Sequence, residues 1–137
     1  MNMSLANWFR NSLTPQRSAR LDSVINKTLV YLKSRPNDDE ILPRILAKAI
    51  GESELTATTA LRILEERGVT HHVFVLACGK TRKSLDRQVE LHKLAESKHC
   101  NLCDEEHSQI DDTCHIELVY TIDREKLAKA EPVVSAA

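Results

Sequence analysis

Residues 41–77, ILPRILAKAIGESELTATTALRILEERGVTHHVFVLA, decide the fold. Ile45, Leu46, Ala49 and Ile50 recur at helical spacing, and Pro43 suits a first helical turn because the N–H it lacks would have no partner there. Gly51 can take the positive φ that ends a helix, and Thr56 can cap the next by turning its hydroxyl onto free backbone N–H groups. Ala57, Ala60, Leu61 and Leu64 then line one face up to Gly68, after which Val69, Val73, Phe74, Val75 and Leu76 favour an extended chain. The spacing predicts a helix over 43–50, a helix over 57–67 and a strand over 69–77.

Upstream, Leu21, Val24, Ile25, Thr28, Leu29 and Leu32 form one stripe of a long helix opened by Thr14-Pro15 and stopped by Pro36. Before it, residues 4–13 place Leu5, Trp8, Phe9 and Leu13 on a short apolar face. That face either packs on its own domain or serves as a docking or dimer surface. The 137 residues suit one domain with an appendage. There is no apolar run long enough to span a bilayer and no signal-peptide pattern, which predicts a cytoplasmic protein without membrane contact. The net charge of −1 is uneven: residues 1–35 carry +5, 36–68 carry −3, 69–98 carry +3 and 99–137 carry −6. The first and third blocks could build a nucleic-acid surface, with the acidic tail facing away from phosphate.

After the strand over 69–77, the next convincing strand is His115 to Ile122. The intervening insertion begins with Lys80, Arg82 and Lys83 and continues in a helical pattern through Leu85, Val89, Leu91, Leu94 and Ala95. It ends in a cysteine cluster. Pairing the two strands would bring Cys78 and Cys114 to one open end, beside the Cys100-x2-Cys103 pair. Four cysteines in a reducing compartment suit metal ligation better than disulfides, so Cys78, Cys100, Cys103 and Cys114 are expected to hold a structural zinc. His99, His107 or His115 is close enough in sequence to replace one cysteine. A buried free thiol is the plain alternative for Cys78.

Other tempting motifs fail. Gly79-Lys80-Thr81 resembles the end of a phosphate-binding loop, but Phe74 stands where that loop needs glycine. His71 and His72 are adjacent in a strand and point to opposite faces. No nucleophile, base and orienting group fall at workable spacing, and the cysteine pair lacks a redox setting. The expectation is therefore a protein that is not an enzyme.

The segments LPRILAKAIG and TATTALRILEERGV resemble bacterial winged helix-turn-helix domains, over about residues 15–78 plus the return strand. With the C-x2-C insertion, the chain is similar to small bacterial proteins that join a winged helix to a zinc-ribbon-like element, some of which act as regulators or companions of defence machinery. The resemblance implies a mainly α fold with a small antiparallel β element. Its parts would be a docking or dimer helix over 1–13, a winged helix-turn-helix over 14–78 and 115–122, a wing insertion over 79–114 and a charged, disordered tail over 123–137. It further implies a homodimeric DNA-binding transcriptional regulator, with double-stranded DNA contacted by Thr56, Thr58, Thr59 and Arg62 in the groove and by Lys80, Arg82 and Lys83 at phosphate. The alternative is a protein-interaction module that docks a partner in a larger assembly such as a defence system.

Overall fold

The structure is a computed structural model that describes residues 15–110 and 113–133. Its first helix, α1 (Pro15–Lys33), buries Leu21, Val24, Ile25, Thr28, Leu29 and Leu32, the stripe expected from the sequence. Thr28 tolerates full burial because its hydroxyl donates to the Val24 carbonyl at 2.9 Å. The far end of α1 is closed from outside: the Arg124 guanidinium donates to the carbonyls of Leu32, Arg35 and Asp38. A cation there also complements the negative end of the helix dipole.

A two-residue strand, β1 (Glu40–Ile41), leads into α2 (Pro43–Ile50), which begins on Pro43 as expected. Gly51 ends α2 at φ +71°. Next, α3 (Glu54–Glu66) starts three residues before the expected 57, and its cap is Ser53, not Thr56. Ser53 Oγ accepts the Thr56 N–H at 3.1 Å and donates to Thr56 Oγ1 at 2.8 Å. Serine is a strong capping residue, and Glu54 then falls in the first turn where the helix dipole favours a negative charge. Gly68, at φ +76°, follows α3, with Val69 N donating to the Leu64 carbonyl. In the turn between α2 and α3, the largely buried Glu52 carboxylate takes Arg20 of α1 at 2.6 Å and Lys27 at 3.8 Å.

Strand β2 (Thr70–Cys78) follows, then β3 (Ser84–Gln88), a 3-10 turn at Leu91–Lys93, β4 (Ser97–Cys100), β5 (Glu105–Ser108), β6 (Cys114–Ile122) and α4 (Arg124–Lys129), the last capped by Asp123. The sheet order is β1-β6-β2-β3, with β4 and β5 forming a separate two-stranded sheet. Register is set by Ile41↔Tyr120, by Phe74↔Gln88 and by Cys100↔Glu105. Among the described residues 42% are helical and 28% lie in strands, so the fold is mixed α/β and the expectation of a mainly α protein is corrected.

The error lies in the insertion. The pattern through Leu85, Val89, Leu91, Leu94 and Ala95 is not a helix. Residues 84–88 pair with β2, and Leu85, Leu94 and Ala95 reach one small apolar cluster, around Leu76 and Cys114, from separate segments. Tertiary pairing overrides the spacing. β2 does have the expected return strand, β6, on one side, and on its other side β3 comes back within a few residues, a strand the spacing did not predict.

The chain divides into two compact units, one comprising the described residues up to His71 and from Tyr120, the other His72–Val119. The first is built on α1, α2 and α3, with Ile25, Leu32, Leu46, Leu61, Ile63, Leu64, Tyr120 and Leu127 fully buried. Its C-terminal segment is pinned to α1 by Asn26, which donates to the Val133 carbonyl at 2.8 Å and accepts its N–H at 2.7 Å. The expected docking helix with Leu5, Trp8 and Phe9 lies outside the described residues. No described helix is long and apolar enough to cross a membrane.

The choice of cap is open to measurement. Ser53→Ala is expected to destabilise the protein by about 1 kcal/mol, and Thr56→Ala by clearly less, in urea unfolding followed by circular dichroism. The reverse order would show that Thr56 carries the cap.

Candidate metal centre

The 72–119 unit contains two tight loops, each at the end of a hairpin. One joins β2 to β3 through Cys78-Gly79-Lys80-Thr81-Arg82, and the other joins β4 to β5 through Cys100-Asn101-Leu102-Cys103-Asp104. Arg82 N donates to the Cys78 carbonyl at 2.9 Å and Asp104 N to the Cys100 carbonyl at 2.8 Å. Arg82 (φ 60°) and Asp104 (φ 57°) are left-handed, as such reversals demand. A register shift between Leu76 and Ala77 precedes the first loop.

These loops bring Cys78, Cys100 and Cys103 together with His107 of β5, one donor atom from each lying within 4.8 Å of every other. Cys78 Sγ is 3.7 Å from Cys103 Sγ and 3.1 Å from His107 Nε2, and Cys103 Sγ is 3.0 Å from the same nitrogen. Cys78, Cys100 and His107 are buried and Cys103 is half-buried. Three cysteines and a histidine at this separation are compatible with a metal site. The His107 Nδ1 is also buried and has no hydrogen-bond partner among the described residues.

Three of the four ligands expected from sequence are therefore in the cluster. The fourth, Cys114, is not: it is buried with Leu76 and Leu94 in the apolar cluster. His107 takes its place. Of the three candidate histidines, His99 lies at the surface, 3.1 Å from Asp104 and 3.8 Å from Glu106, and His115 is exposed. The Cys103-x3-His107 spacing was the signal that could have selected His107.

The thiols are not electrostatically equivalent. Burial pushes the Cys78 thiol up, but hydrogen bonds from the Thr81 side chain and from the Thr81 and Lys80 backbone outweigh it, bringing Cys78 from its ordinary 9.0 down to about 6. Cys100 is also lowered, chiefly by the Cys103 N–H. Cys103 is raised by burial and by its neighbours Cys78 and Cys100. Two thiols shifted towards the thiolate beside one shifted away from it form a set that a cation would complete.

The residues expected to touch DNA do not gather in this way. Thr56, Thr58, Thr59 and Arg62 all lie on α3. The Thr58 and Thr59 hydroxyls donate to their own helix, to the carbonyls of Glu54 at 2.8 Å and Leu55 at 2.9 Å, while Arg62 is exposed. Lys80 is paired with Glu105 at 2.7 Å, across the two loops of the cluster. Arg82 and Lys83 are exposed and show no ion pair among the described residues. His72, on β2, meets the Val89 carbonyl and the edge of Phe74.

Comparison of the chain with protein-family models, with curated proteins and with solved structures finds no match.

In metal-free protein, alkylation of Cys78 by iodoacetamide is expected to rise through about pH 6, while Cys103 reacts only towards alkaline pH. A folded value below the unfolded one means that the Cys78 thiolate stabilises the metal-free fold fully above 9.0, and that this support is lost as pH falls through about 6. Peptide mass spectrometry resolves the two sites, and coincident profiles would refute the ordering.

Proposed function

We propose that Cys78, Cys100, Cys103 and His107 hold a structural zinc ion. The observation that carries this reading is the donor set itself. Four zinc-type donor atoms lie within 4.8 Å of one another, the number that a closed tetrahedral site takes with no position left for substrate. Metal–sulfur bonds of about 2.3 Å in a tetrahedron place two sulfurs about 3.8 Å apart, close to the 3.7 Å between Cys78 and Cys103. The ion would fix the two loops and, through Cys78, the end of β2. Purified protein is expected to carry one zinc per chain. Cys103→Ser or a strong chelator should remove it and expose Cys78 and Cys100 to alkylation. Protein that folds with no stoichiometric metal overturns the reading.

We further propose that the chain is a non-enzymatic DNA-binding protein, a transcriptional regulator of winged helix-turn-helix type with α3 as its recognition helix. What supports this is the order of parts: α1, then the short β1 paired with β6, then α2 and α3 joined by a three-residue turn. In this reading Arg62, with Thr56, Thr58 and Thr59, faces the major groove, and Arg82 and Lys83 supply phosphate contacts. Binding to duplex from the protein's own upstream region is expected to weaken steeply with salt. Arg62→Glu or Arg82→Glu should each cost about tenfold in affinity, and Lys80→Glu less, because Lys80 is already neutralised by Glu105. Unchanged affinity in the first two variants would refute it.

One observation favours a second reading. Leu55 on α3 is 78% exposed, next in sequence to Glu54, and Ile45 on α2 is 46% exposed, apolar side chains better suited to a protein partner than to phosphate. Absence of duplex binding at any salt concentration would shift the assignment to a docking module in a larger assembly.

A further inference from the structure

The two loops of the 72–119 unit share one hydrogen-bond plan. In each loop the residue four on from the first cysteine is left-handed and donates its N–H to that cysteine's carbonyl, Arg82 to Cys78 at 2.9 Å and Asp104 to Cys100 at 2.8 Å, so Thr81 and Cys103 occupy the same third place after it. The Thr81 N–H reaches Cys78 Sγ at 3.4 Å, and Thr81 Oγ1 receives the N–H of Lys83 at 3.3 Å. Thr81 therefore stands in the first loop where Cys103 stands in the second. Its Oγ1 lies 3.7 Å from Cys100 Sγ. Lys83 donates to that oxygen, which leaves the one hydroxyl proton for a sulfur, and it is shared between Cys100 and Cys78.

Resting on the zinc reading above, we propose that Thr81 fills the fourth loop position of the metal centre as a positioning residue, its hydroxyl donating to the Cys100 thiolate while His107 supplies the fourth ligand. The logic is one of charge and place. Three thiolates exceed the charge of a divalent ion by one, so a donor aimed at one sulfur stabilises the set without adding a fourth anion. A hydrogen bond to a ligand also fixes its rotamer, and Thr81 ties the first loop to the first ligand of the second. Thr81 thus sets how tightly the ion is held and how well Cys100 is shielded from electrophiles.

The test uses the full chain. Competition against a chromophoric chelator is expected to show Thr81→Val binding zinc about 10–100-fold more weakly, with faster alkylation of Cys100, and Thr81→Ser behaving as the natural chain does. A second pair of variants tests the positional equivalence. His107→Ala should lose tight binding, and adding Thr81→Cys should restore it, with a cobalt-loaded spectrum showing stronger sulfur-to-metal charge transfer than the natural site because four thiolates now bind. The proposal fails if Thr81→Val equals the natural chain in affinity and alkylation, or if Thr81→Cys does not rescue His107→Ala. Either result leaves the zinc reading standing, whereas a natural chain that takes up neither zinc nor cobalt overturns both.

Discussion

The convergence of three sulfurs and one imidazole nitrogen gives the 72–119 unit much of its definition. Its hairpin β4–β5 has only four residues per strand, and of those eight residues only Cys100 and His107 are buried. Apolar side chains that might have made a core instead face solvent: Leu102 is 68% exposed and Ile110 89%. An isolated two-stranded hairpin is marginal in water. Donor atoms stand where a larger domain would place leucines, an arrangement compatible with a metal site. The small apolar cluster of Leu76, Leu94 and Cys114 supports this unit, but it is too small to replace the donors.

The helical unit is stabilised by other means. Its core is continuous over α1, α2 and α3, and its polar contacts act at chain reversals: Glu52 between two cations, Ser53 at the head of α3, Arg124 at the tail of α1. Each closes a helix end or a turn whose backbone groups lack partners within the helix. Tyr120 is buried in this core, and its hydroxyl is pushed up to about 12 chiefly by that burial and then by Glu65. Hydrophobic packing thus supports the helical unit, while the 72–119 unit holds a cluster of donor atoms compatible with a metal site.

Legibility in the sequence follows the same division. The stripe of α1, Pro43 at the head of α2, and Gly51 and Gly68 as stops were readable because helix periodicity and positive φ act locally. The Ser53 cap was less legible because Ser53 and Thr56 are both capping residues three positions apart and the backbone decides between them. Cys78, Cys100 and Cys103 were readable from one C-x2-C pair and a cysteine at a strand end. Cys114 was misplaced because cysteine serves equally as a ligand and as a small apolar side chain, and the choice depends on what it packs beside. Leu85 to Ala95 mimicked a helix because several short segments delivered their apolar residues to one cluster, a non-local fact that no spacing rule encodes.

The surface of α3 shows how far local chemistry constrains function. Threonine hydroxyls that donate to carbonyls four residues back keep their lone pairs, so Thr58 and Thr59 can still accept from a base amino group, though they have no free proton to give. Charge is similarly divided in the first loop, where Glu105 neutralises Lys80 while Arg82 and Lys83 have no such partner among the described residues. The basic block seen in the sequence is therefore smaller in space than in composition, because the acidic strand β5 is folded against part of it. Any polyanion approaching this loop meets two cations and a carboxylate already engaged, a surface that favours modest, salt-sensitive contact over a deep electrostatic well. Affinity for nucleic acid would then have to come largely from α3, and there Arg62 is the one exposed cation between Glu54 and Glu66.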